Sequence, residues 1–590
     1  MTETTQLRPV TAAQPRLNLH YWVAMPQPAS HLLEVTLQVS GWDAPQLDLK
    51  MPVWTPGSYL VREYARHVQN FQTERPWQKL AKNHWQIETA GVSDVTLRYQ
   101  VFANELTVRT NHLDTSHAFF NGAALFFYLP GLQQQPIRIT IQPPTDWQIA
   151  TALPPVTDQT NTFEAADFDQ LVDSPFEIGL HQRYEFEALG KPHQFVIWGQ
   201  SNAQPAQLIA DTQKIIQVEA ELFGGLPYER YLFILHQTAQ GFGGLEHKDS
   251  CALIYPRFGF RSEESYQRFM QLVAHEFFHL WNVKRIRPKG LEAFDYEAEN
   301  YTPSLWFCEG TTSYYDVMLP LRAGIYDART AIKLLGKEIS RFLTTPGRLV
   351  QPLGESSFDA WIKLYRRDSN SDNNQISYYL KGEMLSLILD LLIRAKHDNR
   401  RSLDDVLRQL WQQFGQPEVG FTPEQLQMAI ESVAGAELSD LFELGLHSTQ
   451  ELPLAEYLEP FGLKILPEDT SAAPPHLGLK IAEGGRELVR AVEFGSPAQQ
   501  AGIDPDDELL ALDGFRVRGS QLAERLKQYR PQDTVQLTLF HQDELRTYAV
   551  KLGEPQPQSY QLVAVESASE QQSRNFAGWL GAPLTSLAPA

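Results

Sequence analysis

The sequence predicts a multidomain protein: an N-terminal antiparallel β domain, a mostly helical α+β domain and a C-terminal β domain. Three observations carry this. Apolar residues alternate with period two up to about residue 175. They recur at helical spacing from about residue 205. They alternate again beyond a Pro- and Ala-rich stretch at 467–475. At 590 residues the chain is also too long for one hydrophobic core. The expected division is 1–175, 176–465, 466–555 and a last segment, 556–590.

In the first part the runs 17–23, 33–39, 95–101 and 137–141 alternate cleanly, as half-buried strands do. In the second part, Leu208, Ile209, Ile215, Ile216, Val218 and Leu222 mark a helix over 206–223, stopped by Gly224-Gly225. A strand at 231–235 and a glycine-containing edge at 241–247 follow. A helix over 263–281 has Ser262, Glu263 and Glu264 at its start, where a helix N-terminus favours polar and negative groups. Beyond it the chain is mainly helical to about 450, for example over 380–395 and 402–413. The third part alternates at 477–481, 488–492, 508–514 and 535–539. In the last segment, Trp579 and Leu580 point to docking on another domain.

Apolar residues make up 43% and charged residues 21%, a globular balance. The formal net charge of −21 repels phosphate backbones and anionic lipid, which argues against nucleic acid and membrane as partners. The one basic run, Lys284 to Lys289, reads as salt-bridged or solvated. Two cysteines, Cys251 and Cys308, exclude a disulfide framework and suit a reducing compartment. Met1 to Arg8 lacks the pattern of a secretory leader, and no run approaches the ~18 apolar residues of a membrane span. A cytoplasmic location is the simplest expectation.

His275-Glu276-Phe277-Phe278-His279 is an H-E-x-x-H motif. On a helix, residues i and i+4 lie on one face, so both imidazoles can reach one ion. Glu276 projects beside them, able to take a proton from water activated by a metal. A catalytic site of this kind needs a third protein ligand. Glu309 is the best candidate: it follows Leu305, Trp306, Phe307 and Cys308, a setting in which an unpaired carboxylate is costly. Ion pairing to Lys284 or Arg285 is its plain alternative, Glu297 and Glu299 are weaker rivals, and Cys308 reads as a small core residue.

The string His275 to Pro288, HEFFHLWNVKRIRP, together with Glu309-Gly310-Thr311-Thr312 and the earlier Trp54-Thr55-Pro56-Gly57-Ser58-Tyr59, resembles the glycyl aminopeptidase family of metallopeptidases. These are gluzincins, related to thermolysin and to the aminopeptidase N family. The resemblance implies a thermolysin-like catalytic domain, one Zn²⁺ per chain on His275, His279 and Glu309, and removal of small N-terminal residues, Gly or Ala. Gly243-Gly244-Leu245-Glu246-His247 resembles the G-A-M-E-N motif of the broader group. This implies that Gly243 and Gly244 bind substrate backbone by strand addition and that Glu246 holds the α-amine. Tyr379-Leu380-Lys381-Gly382 resembles the Y-x-K-G motif, whose phenol supports the oxyanion; adjacent Tyr378 is a rival. The gap between His279 and Glu309 is longer than in the aminopeptidase N pattern, so 281–305 is an insertion relative to that group. The last domain resembles a PDZ domain, with Leu477, Gly478 and Leu479 where a peptide carboxylate would bind.

The leading expectation is therefore a zinc aminopeptidase, with Glu276 as general base and Tyr379 as oxyanion donor. Mn²⁺ or Co²⁺ can also occupy such a site. A zinc endopeptidase that recognises substrate C-termini through its PDZ domain is the rival, and a PDZ adaptor on an inert scaffold the third reading. Peptides are the expected partners in every case; oligomeric state is not legible.

Overall fold

The computed structural model describes residues 17–588 apart from Glu483. The stretch Met1 to Arg8, in which no secretory leader was expected, lies outside the described residues. No helix among them is long and apolar enough to cross a membrane.

The N-terminal part is built on a six-stranded sheet, in the spatial order 162–165, 137–142, 18–24, 32–40, 94–102 and 68–73. Alternation places Leu19, Tyr21, Val23, Val35, Leu37, Leu97 and Ile139 on one buried face. One pair departs from the antiparallel expectation: Asn18–Ala24 runs parallel to Ile137–Gln142, with Leu19 opposite Ile137. More than a hundred residues separate the two strands, and a connection of that length permits either direction.

The next part centres on a five-stranded sheet in the order 182–188, 191–198, 231–238, 250–256 and 243–246. The sequence reading found only the strand at 231–235 and the glycine edge here. The strands Gln182–Ala188, Lys191–Trp198 and Ser250–Pro256 were missed. Phe195, Phe233, Leu235 and Leu253 face the helices Pro205–Phe223 and Glu263–Phe278. Val196, Ile234, Leu245 and Ala252 face Phe119 and Ala150 of the N-terminal part. Gly243–Glu246 pairs antiparallel with Ser250–Pro256, and its other side pairs with no strand among the described residues.

The segment that carries Glu309 begins as a π-turn, Trp306–Gly310, and continues as the helix Thr311–Arg322. The helix Tyr378–Lys396 crosses it closely: a Cβ on Gly310 would lie 2.5 Å from Gly382 Cα.

The PDZ domain, with Val489, Ile503, Leu509, Leu537 and Val550 in its core, is inserted between two strands of one hairpin. Leu463–Pro467 leads into it and Tyr560–Ala564 returns antiparallel beside that strand. The last segment thus contributes the returning strand and a helix, Glu570–Leu580, packed on the helical core. Trp579 is 4% exposed and donates from Nε1 to Tyr314 Oη at 2.9 Å.

Candidate active site

Ser262 accepts a hydrogen bond from Ser265 N and starts the helix that carries the H-E-x-x-H motif. Phe269, Met270, Val273 and Phe277 bury one face of it. His275 and His279 then project together, with their Nε2 atoms 3.4 and 3.2 Å from Glu309 Oε2. His279 Nδ1 lies 2.7 Å from the carbonyl of Asn282, which can only accept, so Nδ1 carries a proton and Nε2 is the nitrogen turned towards Glu309. His275 Nδ1 donates to Asp316 Oδ2 at 2.9 Å, with the same consequence. Burial pushes the Glu309 carboxyl up, but the imidazoles of His279 and His275 outweigh it and hold it at about 2, fully ionised. Ligand atoms on a tetrahedral zinc with bonds of ~2.0–2.1 Å lie ~3.3 Å apart, so the spacing, orientation and carboxylate charge of these three donors fit a divalent metal.

Glu276 is 5% exposed, and its Oε2 has no hydrogen-bond partner among the described residues. Burial raises its carboxyl to about 7; the imidazoles of His275 and His279 oppose the shift and the carboxylates of Glu246 and Glu309 add to it. A carboxyl poised near neutrality suits proton transfer in both directions. Glu246 ends the edge strand, 4% exposed, and its Oε1 likewise lacks a partner among the described residues. Glu246, Glu276 and His279 each bring a donor atom within 4.8 Å of the others.

The N-terminal part reaches into this site. A Cβ on Gly57 would lie 2.4 Å from Glu246 Oε1, and the positive φ of 85° there independently favours glycine. Arg109 Nη2 donates to Gly244 O at 2.9 Å, steadying the edge strand. A cavity of about 430 Å³ between the two parts is walled by Trp54, Gly57, Tyr59, Glu246, Lys284 and Phe294, but by none of His275, His279 and Glu309.

Both candidate tyrosines start the helix Tyr378–Lys396. The hydroxyl of Tyr365 is 2.9 Å from that of Tyr378 and 3.1 Å from that of Tyr379. The Tyr379 ring lies nearly parallel to His275, with centroids 6.4 Å apart, whereas Tyr378 is fully buried. Sequence reasoning missed Tyr365, which sits in no motif. It also missed Asp316 and Asn282. Asp316 lies two turns after Glu309, and Asn282 lies one turn after His279, spacings that could have flagged both.

Lys284 pairs with Asp173 at 2.6 Å and Arg285 with Asp249 at 3.2 Å, so neither partners Glu309. Glu297 pairs with Lys50 at 2.7 Å. The segment 281–305 clamps the motif Trp54 to Tyr59: Trp54 Nε1 donates to Asp295 O at 2.7 Å and Val53 N to Tyr296 O at 2.9 Å.

In the PDZ domain, Gly478 has φ of 81°, and a Cβ there would lie 2.2 Å from that of Ser496. The loop of Leu477, Gly478 and Leu479 opens on a groove of about 920 Å³ that also touches Ile481, Leu522 and Leu526. The catalytic part contributes Leu343 and Arg348 to the same groove.

A helix bearing H-E-x-x-H, a glutamate converging on it from a second helix and a five-stranded sheet behind them define a metallopeptidase. Residues 20–180 match the Peptidase M61 N-terminal domain, 268–385 match M61 glycyl aminopeptidase and 475–552 match a PDZ domain. Among solved structures, the aminopeptidase N family protein from Idiomarina loihiensis is 32% identical, with a TM-score of 0.89 over 95% of this chain and 100% of that chain. The M1 zinc metallopeptidase from Deinococcus radiodurans is 14% identical, with a TM-score of 0.46 over 75% of this chain and 95% of that one. Aminopeptidase A of Legionella pneumophila, in complex with aspartic acid, is 12% identical, with a TM-score of 0.46 over 78% of this chain and 54% of its own. No curated protein matches the chain. The chain belongs to the M61 glycyl aminopeptidase family and is a metallo-aminopeptidase with a C-terminal PDZ domain.

Proposed function

We propose that the protein is a zinc-dependent aminopeptidase that removes small N-terminal residues, Gly or Ala, from peptides. One observation carries the reading. The Nε2 atoms of His275 and His279 converge on an ionised Glu309, and two buried carboxylates, Glu276 and Glu246, stand beside them without full hydrogen bonding. His275, His279 and Glu309 would hold one Zn²⁺, which when bound polarises the scissile carbonyl and acidifies water.

The remaining roles belong to the chain. Gly243 and Gly244 offer backbone to an extended peptide at the open edge. Glu246 receives the α-ammonium, and so sets cleavage one residue from the N-terminus. Glu276 accepts a proton from the attacking water and returns it to the leaving amine. Tyr379 donates a hydrogen bond to the carbonyl oxygen as it gains charge, with Tyr365 orienting its hydroxyl. Tyr379 rather than Tyr378 takes this role because its ring faces His275.

Hydrolysis of Gly- and Ala-amides tests the scheme. Glu276→Gln should lower kcat by about 10²–10⁴ while zinc content holds. Glu246→Ala should abolish the preference for a free amine. Full activity in Glu276→Gln would refute the mechanism, and equal cleavage of N-acetylated peptides by the native protein would favour the endopeptidase reading. The PDZ groove is proposed to take a peptide C-terminus at Leu477, Gly478 and Leu479; binding of C-terminal peptides that is lost on amidation checks it.

A further inference from the structure

A second cluster of metal-binding side chains lies away from the active site, where the N-terminal part meets the five-stranded sheet. His117 comes from the strand His117–Phe120, Glu177 from Phe176–Gly179 and His236 from Tyr231–Thr238, while His181 follows in the turn after Gly179. The side chains of all four are fully shielded from solvent. The three imidazoles converge on one carboxylate. His117 Nδ1 lies 3.1 Å from Glu177 Oε1, His236 Nε2 2.9 Å from Oε2 and His181 Nδ1 3.7 Å from Oε1. Trp198 stacks on His117 at 3.7 Å between ring centroids and closes one side.

A carboxylate alone does not require this arrangement. Two imidazoles suffice to satisfy Glu177, yet a third is buried against it. Neither ring nitrogen of His181 has a hydrogen-bond partner among the described residues. Buried polar atoms nearly always have one. The 3.7 Å separation is long for a hydrogen bond but near the ~3.3 Å between neighbouring ligands of a tetrahedral zinc. Donor atoms of His117, Glu177 and His236 lie within 4.8 Å of one another, as do those of His275, His279 and Glu309, while His181 approaches Glu177 and joins no such group. Unlike the active site, the cluster is shielded from solvent and has no opening for a substrate, as suits a structural rather than a catalytic ion.

We propose that His117, Glu177 and His236, with His181 beside Glu177, form a second, structural divalent-metal site, of the kind zinc fills. The ion would join the N-terminal β sheet to the strand Tyr231–Thr238. That strand lies next to Ser250–Pro256, which in turn carries the edge strand ending in Glu246. The site would therefore fix the N-terminal part, with Gly57 and Arg109, against the substrate edge.

The test counts zinc in the full chain after loading and desalting. The native protein should hold about two ions and the His275→Ala/His279→Ala variant about one. Adding His181→Ala and His236→Ala should remove the remaining ion. The double variant isolates this site from the active-site reading, since a failure of the latter would leave native and double variant alike at one. A folded double variant that binds no zinc would overturn the proposal. So would retention of its ion after His181 and His236 are replaced. If the fourfold variant does not fold, Co²⁺ in the double variant decides: visible d–d bands of a tetrahedral site are expected, and their absence counts against the site. Chelation of the zinc-loaded double variant should also lower its Tm by about 5 °C.

Discussion

The space that a side chain on Gly244 would need is occupied by Glu276: a Cβ there would lie 2.2 Å from Glu276 Cδ. The edge strand and the metal-motif helix are thus in contact through the carboxylate proposed as the base. Gly244→Ala should displace that carboxylate rather than the backbone, because the crowded atoms end a flexible side chain. We expect kcat to fall about tenfold to a hundredfold with little change in Tm. Steady-state kinetics beside a melting curve check this; undiminished kcat would show that Glu276 need not stand where it does.

Asp316 orients His275 by accepting from its Nδ1. Asp316→Asn keeps the size but removes the charge. Zinc affinity should drop about 10- to 100-fold, measured by competition with a chromophoric chelator. Unchanged affinity would mean that Asp316 is a bystander.

Trp579 secures the returning C-terminal helix, packing on Phe461 and donating to Tyr314. Trp579→Ala should cost about 3–5 kcal/mol in urea unfolding. Trp579→Phe, which keeps most of the packing, should cost about 1 kcal/mol for the lost hydrogen bond. Neither residue touches the proposed ligands, so activity at low temperature should survive. A loss under 1 kcal/mol in Trp579→Ala would show the helix to be loosely docked.

His193 gives a pH dependence of known sign. Its Nε2 accepts from Tyr228 Oη at 2.7 Å and its Nδ1 donates to Lys191 O at 2.9 Å, so the neutral ring is satisfied. Burial lowers its pKa to about 4 from the ordinary 6.5. Between those values the unfolded chain binds a proton that the native state refuses. Stability is therefore full above 6.5 and is lost as the pH falls towards 4. The loss should be about 3 kcal/mol, and His193→Gln should flatten that slope of the urea midpoint against pH. Parallel slopes in the two proteins would rule the effect out.

Local pattern made much of the molecule legible. Period-two runs such as Leu33 to Val39 have one self-consistent side to bury, and the helix carrying His275 and His279 announces itself by its cap and its apolar face. Glu309 stood out because a carboxylate among Trp306, Phe307 and Cys308 must have a partner. The strands Lys191–Trp198 and Ser250–Pro256 went unread because their residues are buried in continuous runs, where alternation is lost; Gln182–Ala188 is a short edge strand whose alternating Tyr184, Phe186 and Ala188 are only half-buried.

Sequence alone therefore determined the strongly periodic elements and which residues could carry metal chemistry, since these follow from spacing along the chain. The tertiary structure decided what meets across long separations. It set Gly57 against Glu246, Tyr365 between Tyr378 and Tyr379, and Tyr560–Ala564 beside Leu463–Pro467. It also gathered His117, Glu177, His181 and His236. Such contacts carry no local period; they arise only when sheets and helices bury their apolar faces together, and the polar groups caught between them must then find one another.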